Sequence, residues 1–571
     1  MVAHFSMKRL QWRALCTLVL GVALSACFSL DVGGAPENFH GAVTVSFDKN
    51  NSDVGSTQAN PDNITIQLPA TTLGSLPTEP TRPGYWFVEW NMQSDGRGER
   101  FTAQTPIRAK IHFVVYAQWK PVLHAQLSPD TLRFSPIEES CSFTLTVFGF
   151  KNEADANNVE LDTNMEELAW LWPHSEPGKV SGDTKTFVVH VQYRGLAFAE
   201  APATVHLNLE NIPAGYEYAG GTQTLHITTA DGEDPTRPIP VHQRNLKTFN
   251  DYASTEGLGL HYQLTENVKL EPPEPPKTSN WTAIGTESAP FTGSFDGGGH
   301  SISGLIINNN KSRQGLFGSS NPGAVIQNLG VENVSVSGEN EVGGVVGWNG
   351  SNSTVQNCYV TGHVEGFNAV GGVVGRNESG GLVQNCYATS SAQNLGFSTI
   401  GGYIGGVVGY NNGGTVQNCY ATGHVSGNNS GYVGGVSGGN FGINSTMQNC
   451  VALSATLNSS GSLDTFGRVA GSNMGTLKNN HARDGMRLIR YDTPSTPSTD
   501  NASSLNGADV PAEKYNALSF WEQTLRIEAT GTQSEVFWDF ENVWVWSPDS
   551  RLPILRNMHS EQNPTVWPLP P

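Results

Sequence analysis

Charge is scarce in this chain. Only 15% of its 571 residues are Asp, Glu, Lys or Arg, against roughly 25% in an average globular protein. Acidic residues outnumber basic ones 51 to 32. Phosphate binding needs clustered Lys and Arg, so nucleic acid is excluded as a partner. Residues 379–463 contain no charged residue at all. Glycoside hydrolysis commonly needs two carboxylates facing the bond, so that stretch cannot host it. None of the 15 histidines is followed by Glu, which removes the His-Glu-x-x-His helix of zinc peptidases. The seven cysteines include no Cys-x2-Cys pair, the spacing that zinc sites use. Long apolar runs are missing too, apart from one stretch near the N-terminus, so a multi-span membrane protein is excluded. What the chain has instead is glycine, 64 residues, with much Asn, Ser and Thr, a composition suited to an extended β-rich extracellular protein.

The single apolar stretch, residues 14–24, follows Lys8, Arg9 and Arg13 and has the length of a signal-peptide core. It ends in Leu24-Ser25-Ala26-Cys27. This segment resembles the lipobox of bacterial lipoprotein signal peptides. The resemblance implies cleavage before Cys27, a diacylglycerol on its thiol and a lipid anchor in a membrane. Residues 1–26 are then the signal peptide and 27–41 a tether. Cys141, Cys358, Cys386, Cys419 and Cys450 remain. An odd number cannot all pair within one exported chain, so this is not a disulfide scaffold.

Alternating apolar and polar residues at 43–47 and 113–119 predict strands. Between them, Pro83-Gly84 marks a turn before an aromatic run that suits a half-buried strand. The blocks Thr81 to Asn91, Asp95 to Gly98 and Val115 to Trp119 resemble the Listeria–Bacteroides repeat, also known from the B-repeat of internalin-type proteins. That implies a small β-grasp-like module over 42–120, a spacer or contact module without catalytic residues. Residues 121–232 show four further alternating runs, at 142–147, 186–191, 204–209 and 222–227, and read as a β-sandwich. A Pro-rich linker follows at 231–240.

Beyond it an internal repeat dominates. Val355-Gln356-Asn357-Cys358-Tyr359 returns at 383–387 and 416–420, with a worn copy at 447–451. The central asparagines, 328, 357, 385, 418, 449 and 479, lie 29, 28, 33, 31 and 30 residues apart. A second block interleaves: 342–347 (VGGVVG), 370–375, 404–409 and 433–438. Units with this period bury their apolar faces only by stacking on neighbours. Their Val, Gly, Asn and Thr oppose helix, and the spacing fits a parallel β-helix with one rung, or a rung and part of another, per repeat. Asn columns can then hydrogen-bond along the stack or take left-handed turns between strands. The copies closely resemble the GLUG motif, with Val345 and its equivalents where the family has Leu. The resemblance runs over about 240–558 and implies a bacterial surface or secreted protein, often adhesive. The expected fold is all-β: a β-grasp-like module, a β-sandwich, a GLUG-repeat β-helix over 240–490, and a closing segment over 491–571.

Chemistry is thin. Gly435-Val436-Ser437-Gly438-Gly439 matches a nucleophile pattern, but Ser437 occupies the column of Val346, Val374 and Val408, without the strand-turn-helix context an elbow needs. The repeat cysteines read as buried small fillers, and His363 and His424 as repeat inheritance. The suggestive column is the variable one after each core block: Trp348, Arg376, Tyr410, Gly439 and Ser472. Each is followed by a fixed Asn that suits a turn. Trp348, Arg376 and Tyr410 form the candidate ligand-contact edge, able to stack on sugar or peptide. No catalytic residue, metal ligand or cofactor is assigned. The expected function is a non-catalytic envelope lipoprotein on the outer membrane surface, an adhesin or interaction protein whose partner is a host glycan or matrix protein. The alternatives are a carbohydrate-active enzyme at the edge of the repeats, using Glu332, Glu339, Glu341, Glu365 or Asp464, and a structural spacer.

Overall fold

A computed structural model describes residues 41–566, except 69, 108–111, 166–167, 195–202, 397–401, 428–430, 461–464, 492, 496–500 and 531–533. Cys27, the signal peptide and most of the tether lie outside the described residues, as does Asp464. The chain divides into two compact units, residues 1–122 and 123–571.

In the first unit, the predicted alternation becomes strand Ala42–Asp48. It pairs antiparallel with Asn63–Gln67 and parallel with the start of Phe113–Ser128. Tyr85–Asn91 lies on the other side of Phe113–Ser128, antiparallel, and Arg100–Phe101 joins its far end. A mixed sheet with a parallel central pair is the sheet of a β-grasp, although no helix crosses it among the described residues. The inward residues Val43, Val45, Phe47, Trp90, Phe101, Val115 and Ala117 form its core.

The second unit begins with two facing sheets. One carries residues 124–128, Ser140–Phe148, Thr184–Tyr193, Lys179–Ser181 and Leu171–Ser175. The other orders Thr131–Phe134, Gln223–Thr229, Ala203–Glu210 and Glu160–Asp162. Phe143, Val189 and Val191 meet Leu207, Leu225 and Ile227 between them.

The repeats form a parallel β-solenoid of about eight turns. One repeat is one rung, and it contributes to three parallel sheets. The 22-stranded sheet starts at Ile239–Val241; a six-stranded sheet runs from Phe317–Ser320 to Ala470–Asn473, and a five-stranded one from Asn340–Gly343 to Thr465–Gly467. Valine columns such as Val345, Val373, Val407 and Val436 fill the interior. The N-terminal end is plugged by helix Leu246–Ala253, which the sequence pattern did not announce. Its Phe249 is fully buried among Tyr262, Trp281 and Phe295.

Both roles open to the central asparagines are realised at once. Asn328, Asn357, Asn385, Asn418, Asn449 and Asn479 all have φ of 52–54°. Each also donates from Nδ2 to the Oδ1 of the preceding rung, at 2.8–3.3 Å. Beside them the glutamines do the same: Gln356 to Gln327, Gln384 to Gln356, Gln417 to Gln384 and Gln448 to Gln417, at 2.6–2.9 Å. Both ladders end on one carboxylate. Asp296 Oδ1 accepts from Asn328 (3.0 Å) and Oδ2 from Gln327 (2.9 Å). At the opposite end Lys478 takes the place next after Gln448. An anion thus meets the N–H end of the aligned amides, and a cation sits in register at the carbonyl end.

Replacing Asp296 with Ala strands the last donor of each ladder. Charge-assisted bonds at a partly exposed site imply a loss of about 2–4 kcal/mol. Asn in its place accepts from one ladder while its own NH2 faces the other donor, so roughly half that loss is expected. Urea unfolding of the two variants measures both, and equal stability of Asp296→Ala and wild type would refute the cap.

The fixed asparagines after the variable column do not make turns. Asn349, Asn377, Asn411 and Asn440 are buried within strands. They form a third ladder of 2.7–2.8 Å bonds, with Nδ2 donating toward the C-terminal end, opposite to the other two. The corrected reason for their fixity is that a buried amide must find both a donor and an acceptor.

The closing segment is a strap laid back along the stack. It starts near the last rungs, where the carbonyl of Thr524 accepts from Asn479 Nδ2 (2.9 Å). Val536 and Phe537 carbonyls accept from Asn449 and Asn418. Tyr420 donates to the Pro553 carbonyl (2.7 Å), Tyr387 donates to Gln562 (3.0 Å), and Tyr359 shares a bond with Ser560 (2.6 Å). The His559 N–H reaches the Gly299 carbonyl at the first rungs. Trp521, Trp538 and Trp544 bury the stacked column Tyr359, Tyr387 and Tyr420, whose ring centroids are 5.0–5.1 Å apart.

Candidate functional site

The residues singled out in the sequence share one ladder. Ser319, Trp348, Arg376, Tyr410, Gly439 and Ser472 are successive register partners on the six-stranded sheet. Trp348, Arg376 and Tyr410 are half-buried. Their side chains are engaged with neighbours rather than free. The Arg313 guanidinium lies 3.8 Å from the Trp348 ring centroid, and that of Arg376 lies 5.2 Å from the Tyr410 centroid. Such contacts contribute about 0.5–1 kcal/mol when exposed and more when desolvated. Trp348 Nε1 and Arg313 Nη1 are buried without a hydrogen-bond partner among the described residues.

Carboxylates balance the guanidiniums. Arg313 pairs with Glu287 (2.9 Å) and Glu341 (3.6 Å); Arg376 pairs with Glu341 (3.6 Å) and Glu378. Glu341 therefore joins two rungs. Asn412 donates to Glu378 (3.1 Å). Three carboxylates against two guanidiniums leave no cationic patch for an anionic ligand. The strip continues into four aromatics. Tyr403 lies 4.5 Å from Tyr410 and stacks on Tyr432 at 5.0 Å, and Phe441 packs on all three. Burial pushes the Tyr403 and Tyr410 phenols up, with the Arg376 guanidinium pulling the other way.

Sequence reading missed Arg313, Glu378, Tyr403, Tyr432 and Phe441, and named Glu341 only as a candidate edge carboxylate, not as a partner of this strip. The signal for part of this was present. Glu341, Ala369, Tyr403 and Tyr432 each precede the first apolar residue of a core block, which makes them a second outward column on the five-stranded sheet. That this column and the Trp348 column face one another across a corner needed the fold.

Of the acidic residues considered for an edge site, the four among the described residues are each occupied. Glu341 is held by two arginines, Glu365 by His363 (3.0 Å), Glu332 by the Tyr359 hydroxyl and Glu339 by Ser312 (3.2 Å). The repeat cysteines are free and fully buried, and burial drives the Cys386, Cys419 and Cys450 thiols well above their ordinary range. They are inert fillers. Cys141 is half-buried, and its thiol is pushed up to about 12, first by burial and then by Glu138. Among the described residues no three His, Cys, Asp or Glu side chains converge as a metal site would require. A cavity of about 1250 Å³ opens between the sandwich and the solenoid entrance. Glu138 crosses it to His242 (2.7 Å) and Arg244 (3.9 Å).

This architecture is that of a β-solenoid repeat protein with appended β modules. Residues 44–118 match the Listeria-Bacteroides repeat domain, and residues 338–365, 368–392 and 400–426 match the GLUG motif. The chain thus carries both modules, with the motif matches confined to three central rungs. A stretch of 120 residues is 35% identical to Halomucin of Haloquadratum walsbyi, which is 19% of this chain and 1% of that protein. A solved structure from Bacteroides ovatus, described as a candidate immunoglobulin A1 protease, aligns with 58% of this chain and 95% of its own. Its TM-score is 0.45 at 21% identity. The modules define a repeat-containing protein of surface type.

Proposed function

We propose that the protein is a non-catalytic surface interaction protein, held in the bacterial envelope by lipid on Cys27, that engages a host glycan or matrix protein through the outward strip of its solenoid. The observation that carries this reading is the unbroken run of Trp348, Arg376, Tyr410, Tyr403, Tyr432 and Phe441 across successive rungs. Rungs about 4.8 Å apart present such groups at a regular repeat. The interlocked guanidinium, ring and carboxylate contacts hold the strip in place before a ligand arrives, which lowers the ordering cost of binding. Its balanced charge favours a neutral ligand over a polyanion.

The double variant Trp348→Ala, Tyr410→Ala tests this. On arrays of neutral glycans and immobilised matrix proteins, at least tenfold weaker binding is expected, with an unchanged circular dichroism spectrum. That is about 1.4 kcal/mol. Equal binding by wild type and variant would remove the strip from the function. Absence of any ligand for wild type would favour the spacer reading. Protease treatment of intact and lysed cells tests the placement, with cleavage in intact cells the expected result.

A further inference from the structure

In the 22-stranded sheet, imidazoles repeatedly meet a hydroxyl of the following rung. His261 Nδ1 lies 2.7 Å from Ser294 Oγ, His363 Nδ1 2.6 Å from Ser391 Oγ, and His424 Nδ1 3.3 Å from Thr456 Oγ1. The other ring nitrogen sets them apart. His363 Nε2 lies 3.0 Å from Glu365 Oε2. His424 Nε2 has the uncharged Asn458 amide at 3.4 Å. Among the described residues no carboxylate hydrogen-bonds His261. Of these rings, His363 thus joins a hydroxyl on one nitrogen to a carboxylate on the other. The fold places all three groups. His363 and Glu365 stand two apart in strand Thr354–Gly366, so they share a face. Ser391 is the register partner of His363 on the next rung. Val364 and Ala392 point into the buried core, which leaves the three polar side chains outward and half-buried. Sequence reading took His363 for an inherited repeat position; the register with Ser391 gives it a specific partner.

We propose that Ser391 is a covalent acylation site, a serine that takes one acyl group from an activated ester and keeps it. A carboxylate only accepts hydrogen bonds, so the ring proton sits on His363 Nε2 and points at Glu365. Nδ1 of the neutral ring then accepts from the Ser391 hydroxyl. A nucleophile, its base and a group that orients the base are thereby in contact at the distances general-base chemistry requires. In the reaction Ser391 Oγ attacks the ester carbonyl carbon. The Oγ–C bond forms and the bond from that carbon to the leaving oxygen breaks. The hydroxyl proton passes to His363 Nδ1 and from there to the leaving oxygen. Glu365 is a positioning residue. Turnover is not expected. In hydrolases of the nucleophile-elbow type, the N–H after the nucleophile holds the oxyanion. Here that N–H belongs to Ala392 and is spent on the His424 carbonyl (2.9 Å). Without it only an activated donor reacts, and the acyl ester persists. One acylation without turnover is compatible with a non-catalytic protein. The site is also independent of the outward strip, since Trp348 and Tyr403 lie on the other two sheets.

The test treats the full chain with p-nitrophenyl acetate, following release of p-nitrophenol and mapping acetyl groups by mass spectrometry. Ser391 should be acetylated at least tenfold faster than Ser294, whose His261 lacks the carboxylate. Release should stop after about one equivalent per chain at Ser391, the stoichiometry of nucleophilic attack without deacylation. Ser391→Ala should abolish this phase, and His363→Gln should slow it at least tenfold. Glu365→Gln should lower the maximal rate while leaving the half-saturating ester concentration unchanged, which a loss of local folding would not do. Circular dichroism spectra of the variants should match wild type. Labelling of Ser391 no faster than that of Ser294 overturns the proposal. So does labelling that is indifferent to His363→Gln. Continued release that Ser391→Ala removes would make the site a hydrolase and overturn the retained acyl group.

Discussion

Gly406→Ala is expected to break the solenoid at its middle, at a cost of about 3 kcal/mol or more. A single methyl there would sit 2.6 Å from the Ala421 Cβ and run into the Gly435 carbonyl oxygen of the next rung. Neither can give way. The carbonyl belongs to the backbone of the next rung, and the Ala421 methyl belongs to a rung whose strands are tied on both sides. Repeat arrays are stabilised chiefly by contacts between neighbours, so loss at one rung uncouples the halves. Urea unfolding followed by tryptophan fluorescence should show a lower midpoint and a second transition. Gly215→Ala is the control, because its added methyl meets nothing within 4 Å. A shift below about 0.5 kcal/mol is expected there. Equal effects of the two substitutions would overturn the argument.

Arg468→Ala carries the second large effect. Arg468 occupies the column of Gly344, Gly372, Gly406 and Gly435, and the glycines are needed because each meets the carbonyl of the rung beyond. At the last core block that following repeat is missing, and a side chain fits. Arg468 is 2% exposed, pairs with Asp509 at 2.6 Å and donates to the Arg483 and Gly507 carbonyls. It therefore plugs the end of the stack and ties the final turns to it. Removing a buried charged partner commonly costs 3–5 kcal/mol. Asp509 retains some solvent access, which brings the expectation to about 2–4 kcal/mol. Hydrogen exchange should quicken first at residues 465–510. Uniform exchange along the whole array would contradict the role of a plug.

The repeat period was legible because each rung must bury the same face against the next, which stamps one pattern on the sequence at every turn. Val345 and its column, the left-handed asparagines and the cysteine fillers all follow from that. Ladders were legible as a possibility, but their direction was not. Nothing local at Asn349 says that its amide points the opposite way from that of Asn357, and only the shared Asp296 cap reveals why two ladders run together. The strip was half legible. Trp348, Arg376 and Tyr410 stand out as variation beside a constant Asn. Arg313 lies in a bend and Tyr403 in a strand of another sheet, and the corner between sheets brings them in. Helix Leu246–Ala253 is only two turns long, too short for a periodic signal to separate from its surroundings.

The strap that returns from Asn479 to Gly299 has one further consequence: it works as a ruler. Its contacts are pinned to particular rungs, with Val536 at Asn449, Phe537 at Asn418, Pro553 at Tyr420 and His559 at Gly299. A free solenoid can lengthen by duplicating a repeat, since each rung accepts its copy. Here an added rung would move one set of anchors about 4.8 Å out of reach. Gain of a repeat must therefore be matched by slack in the strap, and the number of rungs between Gly299 and Asn479 is gauged by a segment that contributes none of them.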